Sequence, residues 1–313
     1  MTEHEKMATD IFKQHGLKFE TAERAGGWTN AVWLNGDYAL RLSKKKDSDI
    51  IQREVARAKT LPPIVGYPKN ITTGVADGYE WSLSMRVLGV PLSSVWDSLS
   101  WHEKAKAVKQ ALCIADSVHS VPVCDVESIT LCSAWYNPFD KGSSLADIER
   151  YITEEIFTPK QGRNLQTILE RFYEANHISP VLCHGDITTD NLLWHEGNVV
   201  SLLDFEHSVI APRQLDIHSL VNLALIPYDV ILFTEEMPEA QAYVKEMIAL
   251  FRPYLSTQSD KDLFMGYNVL FRQRFLEFWL ANPTGEIEQC DAYIKLALLS
   301  DGDNGYLLPL LQL

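Results

Sequence analysis

This chain is short of the features that would place it outside the ordinary globular class. No apolar run reaches the roughly 18 residues that a membrane span needs. The longest, Leu220 to Phe233, is interrupted by Asn222, Pro227 and Asp229. Its five cysteines (Cys113, Cys124, Cys132, Cys183 and Cys290) are odd in number, scattered and without a CxxC pair. That argues against a zinc site or a disulfide framework and for a reducing cytoplasm. The first residues, Met1-Thr2-Glu3-His4-Glu5-Lys6, lead into no apolar segment, so a secretory signal is not expected. Basic residues are scarce: 28 Lys and Arg against 42 Asp and Glu leave a formal net charge of -14. A nucleic-acid partner would demand a basic face to release counterions and is not expected. A cationic or neutral small molecule suits the balance better. Internal repeats and low-complexity tracts are also missing.

What is there is a chain of 313 residues, 46% hydrophobic and 22% charged, enough for one large domain or two lobes. Its most informative stretch runs from Val181 to Glu206. Val181-Leu182-Cys183 leads into His184-Gly185-Asp186, Asn191 follows five residues after Asp186, and Asp204-Phe205-Glu206 closes an apolar hairpin turned at Glu196-Gly197-Asn198. Transfer of a γ-phosphoryl group to a hydroxyl needs a carboxylate for the hydroxyl proton and oxygen ligands for a phosphate-bridging Mg²⁺. One Asp, an Asn and a second Asp meet those needs. Protein kinases use H-R-D, an Asn five residues on, and D-F-G; here Gly replaces the Arg and Glu replaces the last Gly.

With these substitutions the stretch resembles the aminoglycoside phosphotransferase and choline kinase superfamily, small-molecule kinases with the protein-kinase-like fold. The resemblance implies an α+β, two-lobed architecture: a small N-terminal lobe with an antiparallel sheet, residues 1–89, and a larger, mainly helical C-terminal lobe, residues 90–313. It implies Asp186 as the catalytic carboxylate, Asn191 and Asp204 as Mg²⁺ ligands, and His184 as a loop-shaping residue. ATP is the expected donor, with GTP as the alternative, and a small-molecule hydroxyl compound is the acceptor. Thr188-Thr189-Asp190 departs from the loop filling common in the family.

The remaining segments are consistent with that expectation. Glu5 to His15 has helical spacing and ends at Gly16. Asn35-Gly36 between two apolar runs signals a hairpin. Gly26 and Gly27 precede it, where the family covers the nucleotide phosphates with a glycine-containing loop; a plain turn is the alternative. Arg41 falls where protein kinases carry a phosphate-binding Lys, and Glu54, in the helical run Asp47 to Leu61, is its expected partner; a structural surface pair is the alternative. Strands are expected at Ile71 to Val75 and Glu80 to Val87, and Arg86 to Leu92 reads as the hinge.

Beyond the hinge, helices are expected over Trp101 to His119, Leu145 to Phe157, Leu165 to Asn176, Glu235 to Tyr254, Asp260 to Ala281 and Glu286 to Ser300. His119 reads as a helix-end packing residue. Asp216 sits where the family places a buttress for the catalytic loop. The aromatics Phe264, Tyr267, Phe271, Phe275, Phe278 and Trp279 suit a helical core better than an acceptor wall for most of their number. Asp190, Glu206 and Glu277 are the acceptor-site candidates, with aminoglycoside-like or choline-like compounds as the leading acceptors. A catalytically silent nucleotide-binding protein of the same fold is the alternative from another class. A protein kinase is disfavoured by the missing Arg and Gly and the lack of an A-P-E-like segment. Oligomeric state is not encoded legibly.

Overall fold

Two hydrophobic cores of unequal size organise the chain in the computed structural model, which describes residues 1–27, 30–125, 140–175, 179–225 and 237–301. The smaller core lies between helix α1 (Glu3–Gln14) and one face of an antiparallel sheet. The helix starts at a capping box in which the Thr2 hydroxyl accepts from the Glu5 N–H and the Glu5 carboxylate accepts from the Thr2 N–H. Its Met7, Ile11 and Phe12 stripe is buried against Leu40, Leu42 and Leu83 of the sheet. The strands are β1 (Glu23–Ala25), β2 (Asn30–Asn35), β3 (Tyr38–Lys46), β4 (Asn70–Ala76) and β5 (Tyr79–Met85), in the spatial order β1-β2-β3-β5-β4. Helix α2 (Ile50–Ala58) stands between β3 and β4 in the chain.

The larger core is helical. A two-residue strand β6 (Val90–Pro91) lies within the hinge and pairs with Leu193 and Trp194 on the hairpin that precedes Asp204. Helices α3 (Trp101–His119), α4 (Lys141–Thr153) and α5 (Pro159–Ala175) come next. Then follow β7 (Val181–Cys183), the hairpin β8 (Leu192–His195) and β9 (Asn198–Leu202), and β10 (Val209–Ala211), which pairs antiparallel with β7. Helices α6 (Gln214–Leu225), α7 (Pro238–Phe251), α8 (Gln258–Ala281) and α9 (Asp291–Ser300) complete the described part. The architecture is therefore the α+β one implied by the resemblance: a five-stranded antiparallel sheet, then a mainly helical part.

The differences from the sequence reading have local causes. The strand expected over Glu80 to Val87 ends at Met85, and within the hinge Arg86 to Leu92 the strand pairing is at Val90–Pro91. Helix α5 begins at Pro159, six residues before the expected Leu165, because Pro is compatible with a helix's first turn and the small Gly162 lets α5 pass close to Ile152 of α4. The expected helix from Glu235 starts at Pro238, and its last residues tighten into a 3₁₀ turn over Arg252–Leu255. Glu235, Glu236, Asn176, Cys132 and the end of the apolar run to Phe233 lie outside the described residues. No described helix is long and apolar enough to cross a membrane.

Packing does not follow the chain's own order. Val65, with Leu61 and Tyr67 beside it, belongs to the larger core although it precedes the hinge. The segment that links α2 to β4 is thus anchored in the helical part.

Candidate active site

The site is built at the end of β7. Leu182 and Cys183 are buried in the β7–β10 pair, and the chain leaves it at His184. Buried Asp216, in the first turn of α6, receives the next two backbone N–H groups: its Oδ2 accepts from His184 N at 2.9 Å and its Oδ1 from Gly185 N at 2.9 Å. His119, at the end of α3, also meets Oδ2 at 2.9 Å through Nε2. Burial alone would raise the Asp216 carboxyl, but the His119 and backbone hydrogen bonds outweigh it and hold the group below the usual carboxylate range. His119, Cys183 and Asp216 cluster closely enough to hold a metal, yet the Cys183 thiol donates to backbone carbonyls of Ala211 and Pro212. The cluster serves as a hydrogen-bonded floor under the loop.

His184 ties the loop to the hairpin. Its Nε2 donates to the Leu203 carbonyl at 2.8 Å, and its Nδ1 accepts the Asp186 N–H at 3.2 Å. Gly185 explains the departure from H-R-D: its φ is +83°, and a Cβ there would fall 2.4 Å from the His207 carbonyl oxygen. No side chain fits. Asn191 then turns its amide N–H onto the Asp186 carboxylate at 3.0 Å and the Asp186 carbonyl at 2.9 Å, which leaves the amide oxygen as its group for a cation. Asp204 adopts a left-handed backbone, φ 65° and ψ 66°, uncommon for a residue with a side chain and frequent at functional sites.

The other wall comes from the sheet and α2. Arg41 on β3 meets Glu54 on α2 as a fork, Nη1 donating to Oε1 at 3.0 Å and Nη2 lying 2.8 Å from Oε2. Glu54 Oε1 also accepts from the Tyr67 hydroxyl at 2.7 Å and from the Phe205 N–H at 3.0 Å. Burial would raise this carboxyl; the Arg41 charge and the hydrogen bonds overcome it, and Glu54 stays below its ordinary value. One turn along α2, buried Arg57 donates through Nη1 to the Ser208 carbonyl at 2.9 Å and hydroxyl at 3.0 Å. Burial pulls Arg57 down to about 10, still charged at neutral pH. The segment after β9 is therefore tied to α2 at both Phe205 and Ser208.

Asp204 is what a cation would meet. Its Oδ1 is buried, accepts no hydrogen bond, and has Arg41 Nη2 only at 3.6 Å. Burial pushes its carboxyl up, and Arg41 only partly opposes this. A carboxylate oxygen in that condition, with the Asn191 amide oxygen and Asp186 on the same cleft, is a donor set suited to Mg²⁺.

These groups line one cleft of about 1150 Å³. Gly26, Gly27, Arg41, Asp186, Asp190, Asn191, Asp204 and Glu206 all face it, together with the hinge residues Val87 and Gly89. Of the glycines, Gly27 is constrained, since a Cβ would lie 2.5 Å from the Asn30 carbonyl oxygen, whereas Gly26 has open space. Asp190 accepts from the Ser93 hydroxyl. Glu206 is buried, with His207 Nε2 at 3.4 Å. Glu277 is placed elsewhere: it accepts from Arg150 and Tyr151 and is not among the residues lining the cleft.

Several residues in and behind the cleft escaped the sequence reading. Tyr67 lines it and carries no motif, Arg57 and Ser208 support it from the buried side, and His207 and His218 are ordinary histidines until the fold brings them to the cleft. The aromatic helix divides. Phe264 and Tyr267 are core, as favoured, but Phe271, Phe275 and Phe278 line the cleft. Their spacing of four and three residues on α8 was the available signal.

A cleft between an antiparallel sheet and a helical part, with Asp, Asn and Asp at its base and an Arg–Glu fork on its wall, defines a phosphotransferase of the kinase-like class. The chain belongs to the phosphotransferase enzyme family (APH), whose profile matches residues 20–237. An aminoglycoside 3'-phosphotransferase from Escherichia coli is 23% identical over 222 residues, 69% of this chain and 77% of that protein. In fold the chain is similar to the GDP complex of wild-type aminoglycoside 2'-phosphotransferase-IIIa, with a TM-score of 0.66 at 15% identity over 97% of this chain and all of that one. It is also similar to a thermostable mutant of aminoglycoside phosphotransferase APH(4)-Ia in a ternary complex with ADP and hygromycin B, with a TM-score of 0.59 at 13% identity over 96% of this chain and 98% of that one.

Proposed function

We propose that the protein transfers the γ-phosphoryl group of ATP, or of GTP, to a hydroxyl of a small molecule in a Mg²⁺-dependent reaction. The observation that carries this is the loop itself: Asp186 is presented to the cleft by a backbone fixed at Asp216 and Leu203, with Asn191 bonded to it and the orphaned Asp204 oxygen across the same cleft.

The residues divide the work. Asp186 orients the acceptor hydroxyl and takes its proton as the bond to phosphorus forms. Asn191 and Asp204 would hold Mg²⁺, which when bound neutralises charge on the β- and γ-phosphates. Arg41, kept in place by Glu54 and Tyr67, meets the phosphates with a fork rather than the point charge of a Lys. Gly27 keeps the loop before β2 free of a side chain where the backbone folds tightly.

Aminoglycosides are the acceptors of the named relatives, and the resemblance adds choline-like amino alcohols; both are the first compounds to try. Unpaired Cys113, Cys124, Cys183 and Cys290 fit a cytoplasmic location. The test is nucleotide turnover with Mg²⁺ against aminoglycosides, choline, homoserine, macrolides and simple sugars, beside Asp186→Ala. Acceptor-dependent turnover is expected, and about 10²–10⁴-fold less of it in the variant. Failure to bind Mg²⁺-nucleotide at all would sink the proposal and leave the silent member of the fold.

A further inference from the structure

The α8 side of the cleft is largely apolar and includes one arginine, Arg274. Phe271, Arg274, Phe275 and Phe278 follow one another at three, one and three residues on α8, so they share one face, and all line the cleft. Phe275 is 39% and Phe278 64% exposed, large for phenylalanine and without reason in the core. Leu215 and His218 of α6 continue the surface. The His218 ring lies 5.3 Å from Phe271, which in turn lies 4.8 Å from Phe275. His218 is neutral as well as apolar-facing: burial, with Arg272 acting in the same direction, holds it well below its ordinary value, and its Nε2 accepts from the Asn222 amide.

Among the described residues the carboxylates on the cleft are Asp186, Asp190, Asp204 and Glu206, and all of them lie on the loop after β7 or directly after β9. On the faces of α6 and α8 that line the cleft, the described residues include no carboxylate. A polycation lying against those two faces would find its described carboxylate partners only across the cleft, so an ammonium on the α8 side would lose hydration without a described partner beside it. A quaternary ammonium held by aromatic faces is best served by rings free of neighbouring positive charge, and Arg274 stands within the stripe.

We infer that the acceptor is an uncharged or singly anionic hydroxyl compound presenting an aromatic or otherwise apolar face to the α8 phenylalanines, rather than a polycationic aminoglycoside or a choline-like cation. This rests on the kinase reading but departs from its leading acceptors. The experiment separates the two. Calorimetry first measures Mg²⁺-ADP binding to the wild-type chain; its loss overturns the kinase reading. With Mg²⁺-ADP saturating, the same instrument then compares phenyl β-glucoside, methyl β-glucoside, phenyl β-glucuronide, choline and kanamycin.

Phenyl β-glucoside is expected to bind about tenfold or more tightly than its methyl counterpart. Phe275→Ala with Phe278→Ala should reduce that ratio to near one while Mg²⁺-ADP binding is unchanged, and Arg274→Gln should weaken the glucuronide selectively. Choline or kanamycin as the tightest ligand, a phenyl-to-methyl ratio of one, a ratio insensitive to the double variant, or no binding of either aryl compound at millimolar concentration would each overturn the inference.

Discussion

The two ends of the cleft are built on opposite principles. At the donor end each charged group is held by several others: Glu54 alone accepts from Arg41, Tyr67 and Phe205, and Asp216 from His119, His184 and Gly185. On the α8 side the wall is made of rings, with Phe275 and Phe278 exposed and Phe271 half-buried, continued by Leu215 and His218 of α6. Under the proposed function, the chemistry of phosphoryl transfer would be fixed by directional hydrogen bonds between distant segments, while the choice of acceptor would be left to a surface that one or two substitutions can reshape.

That contrast can be broken by measurement, and the largest effect should come from Asp204. Asp204→Asn should abolish Mg²⁺-dependent turnover yet not lower the melting temperature, because the carboxylate oxygen it replaces is buried without a hydrogen bond. A lower melting temperature would mean that Asp204 is part of the scaffold.

Asp216→Asn should act in the reverse sense, destabilising the chain at neutral pH by roughly 2–4 kcal/mol because buried donors lose a charged acceptor. The sign of its pH dependence follows from its depressed carboxyl. Its contribution is full above the ordinary carboxylate pKa and is lost as pH falls through the lower folded value, so the wild-type acid limb should be steeper than the variant's. Denaturant titrations between neutral and acid pH would show it.

Tyr67→Phe removes one of the hydrogen bonds on Glu54 and should cost about 1 kcal/mol, seen as a few-fold rise in nucleotide KM with kcat little changed. A drop in kcat alone would show that Glu54 acts on the reaction by another route. The smallest effect on stability belongs to Phe278→Ala, which should stay within about 0.5 kcal/mol of wild type because the ring is mostly exposed. Acceptor KM should rise while nucleotide KM holds. If both move together, the two ends of the cleft are coupled.

How much could be read without coordinates follows the same division. Asp186, Asn191 and Asp204 share a loop and the short hairpin after it, so chain spacing alone brings them near each other, and the tight turn between β2 and β3 was visible as Asn35-Gly36. The pairing of Arg41 with Glu54 was reachable because one strand and the next helix bring them together. The interaction of Arg57 with Ser208 joins residues 151 positions apart and has no local signature. Glu277 illustrates the opposite error. A carboxylate on an aromatic helix suggested the acceptor site, but the register of α8 turns it toward Arg150 and Tyr151. A helix's periodicity reveals that it has faces without saying which neighbour each one meets.

The tie between α2 and the segment after β9 bears on how the molecule comes apart. A fragment ending at Gly89 would keep Glu54 and Arg57 but lose the Phe205 N–H and the Ser208 oxygens that satisfy them, and Val65 would lose the core that covers it. Helix α2 and the segment after it thereby depend on the helical part for partners and cover. The chain should melt in one calorimetric transition, with van't Hoff and calorimetric enthalpies equal, and Arg57→Ala should split that transition before it abolishes binding of nucleotide. The hinge joins the sheet to the helical part in sequence, while the buried Arg57 guanidinium ties them in space through Ser208.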